Sequence, residues 1–180
     1  MPVMHRLFVA VRPPAAVRDA LLDIMGGIGG ARWQDDDQLH LTLRFLGEID
    51  RHQAEDVHAA LGSIHHPPFD LAVSGLGMFD RRGVPTTIWA GVRPPEPVHT
   101  LHKKVDQAVA RVGIEPDRRA FHPHITLARL GRDSGRADGF LARSGTVRGE
   151  PFRVDAFGLF ESRLTPEGAV YTELETYPLA

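Results

Sequence analysis

Leu39-His40-Leu41-Thr42-Leu43-Arg44-Phe45-Leu46 finds a counterpart 84 residues later in Pro123-His124-Ile125-Thr126-Leu127-Ala128-Arg129-Leu130. Each stretch reads as a short strand of period two, so His and Thr project from one face while the aliphatic residues project from the other. One face carries chemistry and the other faces a core. A single His on a strand is ordinary, but two identically spaced His-x-Thr units, each opening an aliphatic run, describe two imidazoles and two hydroxyls around one small anion. That set suits acid and base catalysis on a phosphate ester.

The rest of the chain arranges itself around these two strands. Residues 3 to 11 read as a strand broken by Pro13-Pro14, followed by a helix with Val17, Leu21, Leu22 and Met25 on one side and stopped by the glycines at 26 to 30. The first motif strand spans Leu39 to Leu46 and closes at Gly47-Glu48. A helix bearing Ala54, Val57, Leu61 and Ile64 follows, then strands from Phe69 toward Gly77 and from Thr86 to Val92. Pro94-Pro95-Glu96-Pro97 opens the clearest helix, with Val98, Leu101, Val105, Ala108, Val109 and Val112 on one stripe. The second motif strand is expected over Phe121 to Leu130, a long loop over Gly131 to Gly149 with a helical turn near Phe140, and a final pair of strands over Phe152–Phe160 and Ala169–Thr176. A helix precedes the motif strand in each half, which suggests two related lobes with one motif apiece, facing a central groove.

Composition limits the alternatives. The chain has 180 residues, 42% hydrophobic and 24% charged, enough for one domain, and contains no run of about 18 apolar residues of the kind that spans a membrane. The apolar start is soon interrupted by Arg12-Pro13-Pro14, unlike a secretory signal, so a cytoplasmic protein is expected. The absence of cysteine excludes disulfides, a thiol nucleophile and zinc sites built on thiolates. A formal charge of -2 argues against a long basic track for nucleic acid.

Ten histidines, among them His65-His66 and His122-Pro123-His124, invite a metal reading, since imidazole ligates zinc and iron. No His-Glu-x-x-His pattern occurs, however, and the carboxylates nearest His40, Asp35 to Asp37, fall in a turn. Neither a metal nor another cofactor is expected. His65-His66, before two prolines, reads as a helix terminus.

At these residues the chain resembles the 2H phosphoesterase superfamily, and within it the bacterial and archaeal RNA 2′,3′-cyclic phosphodiesterases, also called LigT-like proteins or 2′-5′ RNA ligases. The resemblance runs the whole length. It includes Arg6-Leu7-Phe8-Val9-Ala10, Trp33, both His-x-Thr tetrapeptides, Gly77-Met78-Phe79, Trp89-Ala90-Gly91-Val92 and Leu159-Phe160-Glu161-Ser162-Arg163-Leu164 leading to Tyr171. It implies an α+β fold over residues 1–180 as one bilobal domain, with two pseudo-symmetric lobes, antiparallel-rich sheets facing a central cleft and helices outside.

It also implies metal-independent hydrolysis of a 2′,3′-cyclic phosphate, on an RNA end or a small cyclic nucleotide, to a 2′-phosphomonoester. By that analogy His40 is the proton donor, His124 the proton acceptor, and Thr42 and Thr126 are phosphate ligands. Arg129 matches a position that approaches the phosphate, although strict alternation counts it with Ile125 and Leu127 on the core side. Either the strand ends or bulges before it, or the Arg is structural. Phe45 is a candidate for stacking on a nucleobase, although its parity is that of a core residue, and Arg44 has the parity of His40 and Thr42. Two other readings share the motifs, a reversible 2′-5′ RNA ligase and an RNA-end-binding module without turnover. A monomer is the default expectation.

Overall fold

A computed structural model describes residues 1–180. Its elements run in the order β1 (Met4–Val11), α1 (Ala15–Ile24), β2 (Arg32–Trp33), a 3₁₀ turn at Asp36–Gln38, β3 (Leu41–Asp50), α2 (Arg51–Gly62), β4 (Phe69–Arg81) and β5 (Val84–Arg93). They continue with α3 (Glu96–Arg111), β6 (His124–Arg129), α4 (Asp138–Ser144), β7 (Phe152–Val154), β8 (Ala156–Thr165) and β9 (Gly168–Pro178). All strand pairings are antiparallel, in the order β7-β4-β5-β6-β3-β1-β8-β9, with β2 joined to β6. The two halves foreseen from the sequence therefore meet in one continuous sheet. Their meeting line is the pair of motif strands, β3 and β6.

Each half repeats a strand, a helix and a motif strand: β1-α1-β3 in the first and β5-α3-β6 in the second. The helical stripe of α3 buries Val98, Leu101, Val105, Ala108 and Val109 in the same core that takes Leu41, Leu43, Ile125 and Leu127 from the motif strands. Each such side chain contributes about 1.5–3 kcal/mol when fully buried, so the core holds one face of both motif strands inward. The opposite face is left to form a cleft.

Several boundaries differ from the sequence reading. β6 begins at His124 rather than Phe121, because Pro123 has no N–H to give to a ladder. β3 runs on through Gly47, whose φ of 74° lets the strand continue past an extra residue at Leu46. The strand expected over Phe152–Phe160 divides at Asp155, since β7 pairs with β4 in one half while β8 pairs with β1 and β9 in the other. The loop after β6 holds a real helix, α4, whose Phe140 is buried against Trp33. That loop is tied to the body by backbone bonds from Gly135 to Gly29, Gly75 to Val147 and Gly149 to Val73.

The most consequential departure from strict alternation is a β-bulge in each motif strand. Val9 and Ala10 of β1 oppose Arg44 and Thr42, leaving Leu43 as the extra residue of β3. Ile88 and Trp89 of β5 oppose Ala128 and Thr126, leaving Leu127 as the extra residue of β6. Both bulges fall on the residue after the motif Thr. A bulge interrupts the ladder, and in both cases an outside donor takes up the bulged carbonyl. His102 Nδ1 on α3 donates to the Leu43 oxygen at 2.7 Å, and the Gln34 amide donates to the Leu127 oxygen at 2.8 Å.

His102 is further held by stacking on Phe121, with ring centroids 3.8 Å apart. Replacing it with Phe keeps a stacking ring and removes the donor. His102→Phe is expected to lower unfolding stability by about 1–3 kcal/mol through the unsatisfied Leu43 carbonyl, measured by urea denaturation. An unchanged midpoint would show that the bulge does not depend on His102.

Candidate active site

The motif strands share one bridging pair, Leu41 with Ile125. Both side chains are buried, at 1% and 0% exposure, so the pair anchors the core face. Extending the antiparallel register by one residue each way sets His40 opposite Thr126 and Thr42 opposite His124. The four polar side chains thus occupy the other face as a two-fold-related set, and all four line one cleft of about 340 Å³. The structure brings together the four residues that the sequence reading grouped.

His40 is 5% exposed and packed edge-on against Phe8, Phe160 and Tyr171, with centroid distances of 5.9, 4.6 and 5.6 Å. Phe8 and Phe160 form a small apolar cluster with Ala10 on the cleft side of the sheet, separate from the main core. Burial in this wall lowers the His40 pKa from 6.5 to about 4, against an opposing effect from the Gln38 carbonyl. Neither ring nitrogen has a well-formed partner within the chain. In the free protein at neutral pH the ring is uncharged.

His124 stands in the equivalent place on the second half. Its Nδ1 lies 2.6 Å from the His122 carbonyl, so that nitrogen carries the proton and Nε2 is left with a lone pair. Phe79 meets the ring edge-on at 4.9 Å, and Trp89 lies 6.1 Å away. Burial lowers its pKa below the ordinary value, and the charges of His122 and Arg129 act in the same direction. Both imidazoles therefore have a backbone carbonyl two residues upstream, from Gln38 and His122. The Trp89 ring lies over Gly77, where a Cβ would come within 2.3 Å of it, so only glycine leaves room for this wall.

The bulges settle the residues whose parity was in doubt. After Leu127, Ala128 also turns to the core and Arg129 returns to the cleft, which it lines. After Leu43, Arg44 turns inward and Phe45 returns to the cleft, 56% exposed. Strict alternation therefore misplaces Phe45, whereas Arg44, although only 4% exposed, also lines the cleft. The Arg44 side chain forms an ion pair with Asp106 at 3.0 Å and donates to the carbonyls of Phe45 and Glu115, which ties β3 to α3 and the segment behind it.

Tyr171, Gln34, Gln38, Thr87, His102 and Arg119 also line the cleft, although the sequence reading assigns them no role in the site. All six come from outside the motif strands. Burial raises the Tyr171 pKa, keeping its phenol protonated and able to donate. Nowhere in the chain do three or more His, Cys, Asp or Glu side chains gather at metal-ligand spacing, and His65 and His66 do not line the cleft. No helix is long and apolar enough to cross a membrane.

The model of the family described as LigT like Phosphoesterase matches the chain twice, over residues 11–89 and 92–171, one match in each half. Among curated proteins, the chain is 27% identical over 175 residues to the RNA 2′,3′-cyclic phosphodiesterase of Archaeoglobus fulgidus, covering 96% of this chain and 99% of that protein. It is 34% identical over 186 residues to the protein of the same name from Thermus thermophilus, covering 97% and 90%. Among solved structures, Escherichia coli LigT complexed with 3′-AMP superposes with a TM-score of 0.82 at 28% identity, covering 99% of each chain. With both halves matched and both motifs facing one cleft, the chain belongs to the LigT-like phosphoesterase family.

Proposed function

We propose that the protein hydrolyses 2′,3′-cyclic phosphates on RNA ends or small cyclic nucleotides to 2′-phosphomonoesters, with His40 and His124 as acid and base. The observation that carries this reading is the convergence of the two His-x-Thr units on one cleft across the Leu41–Ile125 pair. It is supported by the curated relatives, which bear the name RNA 2′,3′-cyclic phosphodiesterase.

The cyclic phosphate sits between the two strands. Thr42 and Thr126 donate hydrogen bonds to its non-bridging oxygens, where negative charge grows as phosphorus becomes pentacoordinate. His124 Nε2 takes a proton from water as the water oxygen attacks phosphorus. The bond from phosphorus to the 3′ oxygen breaks, and His40 gives that oxygen a proton, leaving a 2′-phosphate and a free 3′-hydroxyl. An imidazolium in the apolar wall around His40 is a strong acid, which suits donation. Arg129 adds positive charge at one end of the cleft, and Phe45 offers a ring for a nucleobase at the other.

With the protein held in EDTA, cytidine 2′,3′-cyclic phosphate should yield the 2′-phosphate. His40→Ala and His124→Ala should each lower kcat/KM by roughly 10²–10⁴-fold or more while unfolding at the wild-type temperature. A 3′-phosphate product would contradict the assigned cleavage, and activity that survives either substitution would remove that His from the mechanism.

The pH dependence follows from burial. In the free protein both imidazoles titrate below 6.5, His40 near 4. A bound phosphate anion favours the charged form of each ring and raises both values. The kcat profile, which reports the complex, should therefore lie at higher pH than the kcat/KM profile, which reports the free protein. Profiles that coincide would show that the phosphate does not contact these rings.

A further inference from the structure

The aromatic end of the cleft has a second wall, supplied by the segment that joins α3 to β6. Two ties hold this segment against β3. Arg44 donates to the carbonyls of both Phe45 and Glu115, so the segment starts beside the Phe45 backbone. His102, bonded to the Leu43 carbonyl, carries Phe121 stacked on its ring, so the segment ends beside the bulge. Between these ties, Asp117, Arg119 and Ala120 line the cleft together with Phe45. A base resting on the Phe45 ring therefore presents an edge to this wall.

Arg119 is set in the wall by Asp117. Its Nε and Nη2 donate to the two carboxylate oxygens at 3.1 and 3.0 Å, a bidentate fork, and its own amide donates to Oδ1 at 3.0 Å. Exposed ion pairs are generally loose, but three bonds to one carboxylate fix the plane of this guanidinium. The side-chain hydrogen bond from Arg119, followed by that from its amide, holds the Asp117 carboxyl down at about 2, so the fork persists at neutral pH. The fork uses one side of the guanidinium. The other edge, Nη1 with the outer hydrogen of Nη2, has no acceptor in the chain, and the side chain is 79% exposed.

Two parallel N–H groups call for two acceptors side by side. Guanine has them, O6 beside N7, and an arginine fork on that pair is the commonest specific contact to a base. Adenine sets an amino donor beside N7. Uracil alternates acceptor and donor around its edge, and the N3 and O2 pair of cytosine adjoins the glycosidic bond, turned toward the ribose. We propose that Arg119, oriented by Asp117, reads O6 and N7 of a guanine stacked on Phe45, so that the preferred substrate ends in a guanosine 2′,3′-cyclic phosphate. The inference rests on the nucleotide substrate proposed for this cleft and narrows it to one base. Arg119 is then a specificity residue, and Asp117 a positioning residue that acts through it.

The test compares kcat/KM across 2′,3′-cyclic phosphates that differ only in the base. Wild type should favour guanosine over adenosine by about fivefold or more. Inosine, which keeps O6 and N7 but lacks the 2-amino group, should behave as guanosine does. 7-Deazaguanosine, which lacks the N7 acceptor, should fall below guanosine by about threefold or more. Arg119→Met keeps the length of the side chain and removes its donors, and should bring the guanosine-to-adenosine ratio to about one. Asp117→Asn, which opens the fork with Arg119 in place, should lower that ratio as well. Equal use of guanosine and adenosine by wild type, a 7-deazaguanosine substrate as good as guanosine, a cytidine substrate preferred to guanosine, or either variant keeping the full preference would overturn the proposal.

Calorimetric binding of 2′-GMP and of 2′-AMP separates this inference from the catalytic reading. Arg119-dependent preference for 2′-GMP without turnover of any cyclic phosphate would uphold the base reader and reject the hydrolase. Turnover with equal affinity for both nucleotides would do the reverse.

Discussion

Everything in the cleft depends on the pairing of Leu41 with Ile125. It is the only bridge between β3 and β6, and it joins the two halves of the sheet. Because both side chains are driven into the core, the residues on either side of them must face outward. The antiparallel register then puts each His beside the Thr of the other motif. A slip of one residue in either strand would send that strand's imidazole into the core and its aliphatic set into the cleft. The hydrophobic core thus fixes the position of the polar groups without contributing an atom to them.

The second constraint is the bulge after each motif Thr. It reverses the parity of the residues beyond it, bringing Phe45 and Arg129 to the cleft and burying Arg44 and Ala128. Each bulge leaves a carbonyl that another element must satisfy, and the two solutions are different: an imidazole from α3 and an amide just after β2. The symmetry of the chain is therefore one of backbone and motif, while the departures from it lie in the side chains beyond the bulge. A nucleotide is itself asymmetric, with an aromatic base and anionic phosphates.

Much of this was legible in the sequence because it is local and periodic. The strand faces at His40 to Leu43 and His124 to Leu127, the buried stripe of α3 and the duplication of a helix followed by a motif strand all follow from short-range patterns. The bulges were not legible, since an extra residue leaves no mark on hydrophobic alternation: Leu43 and Leu127 read as ordinary core positions. Phe45 was misplaced for that reason, and Asp106, the partner that holds the Arg44 side chain, lies on a helix that no local pattern assigns to that strand. Tyr171 and Phe8 stand beside His40 through the pairing of β1 with β8 and of β8 with β9, which is tertiary information.

The central claim is that one phosphate is held between two imidazoles that are neutral in the free protein. It is tested most directly by NMR titration of the His40 and His124 rings with and without saturating 2′-AMP. Both rings are expected to titrate below 6.5 when the protein is free, and both to move upward together when the nucleotide is bound. A response at only one ring, or at neither, would contradict a site built on the two-fold pairing of these strands.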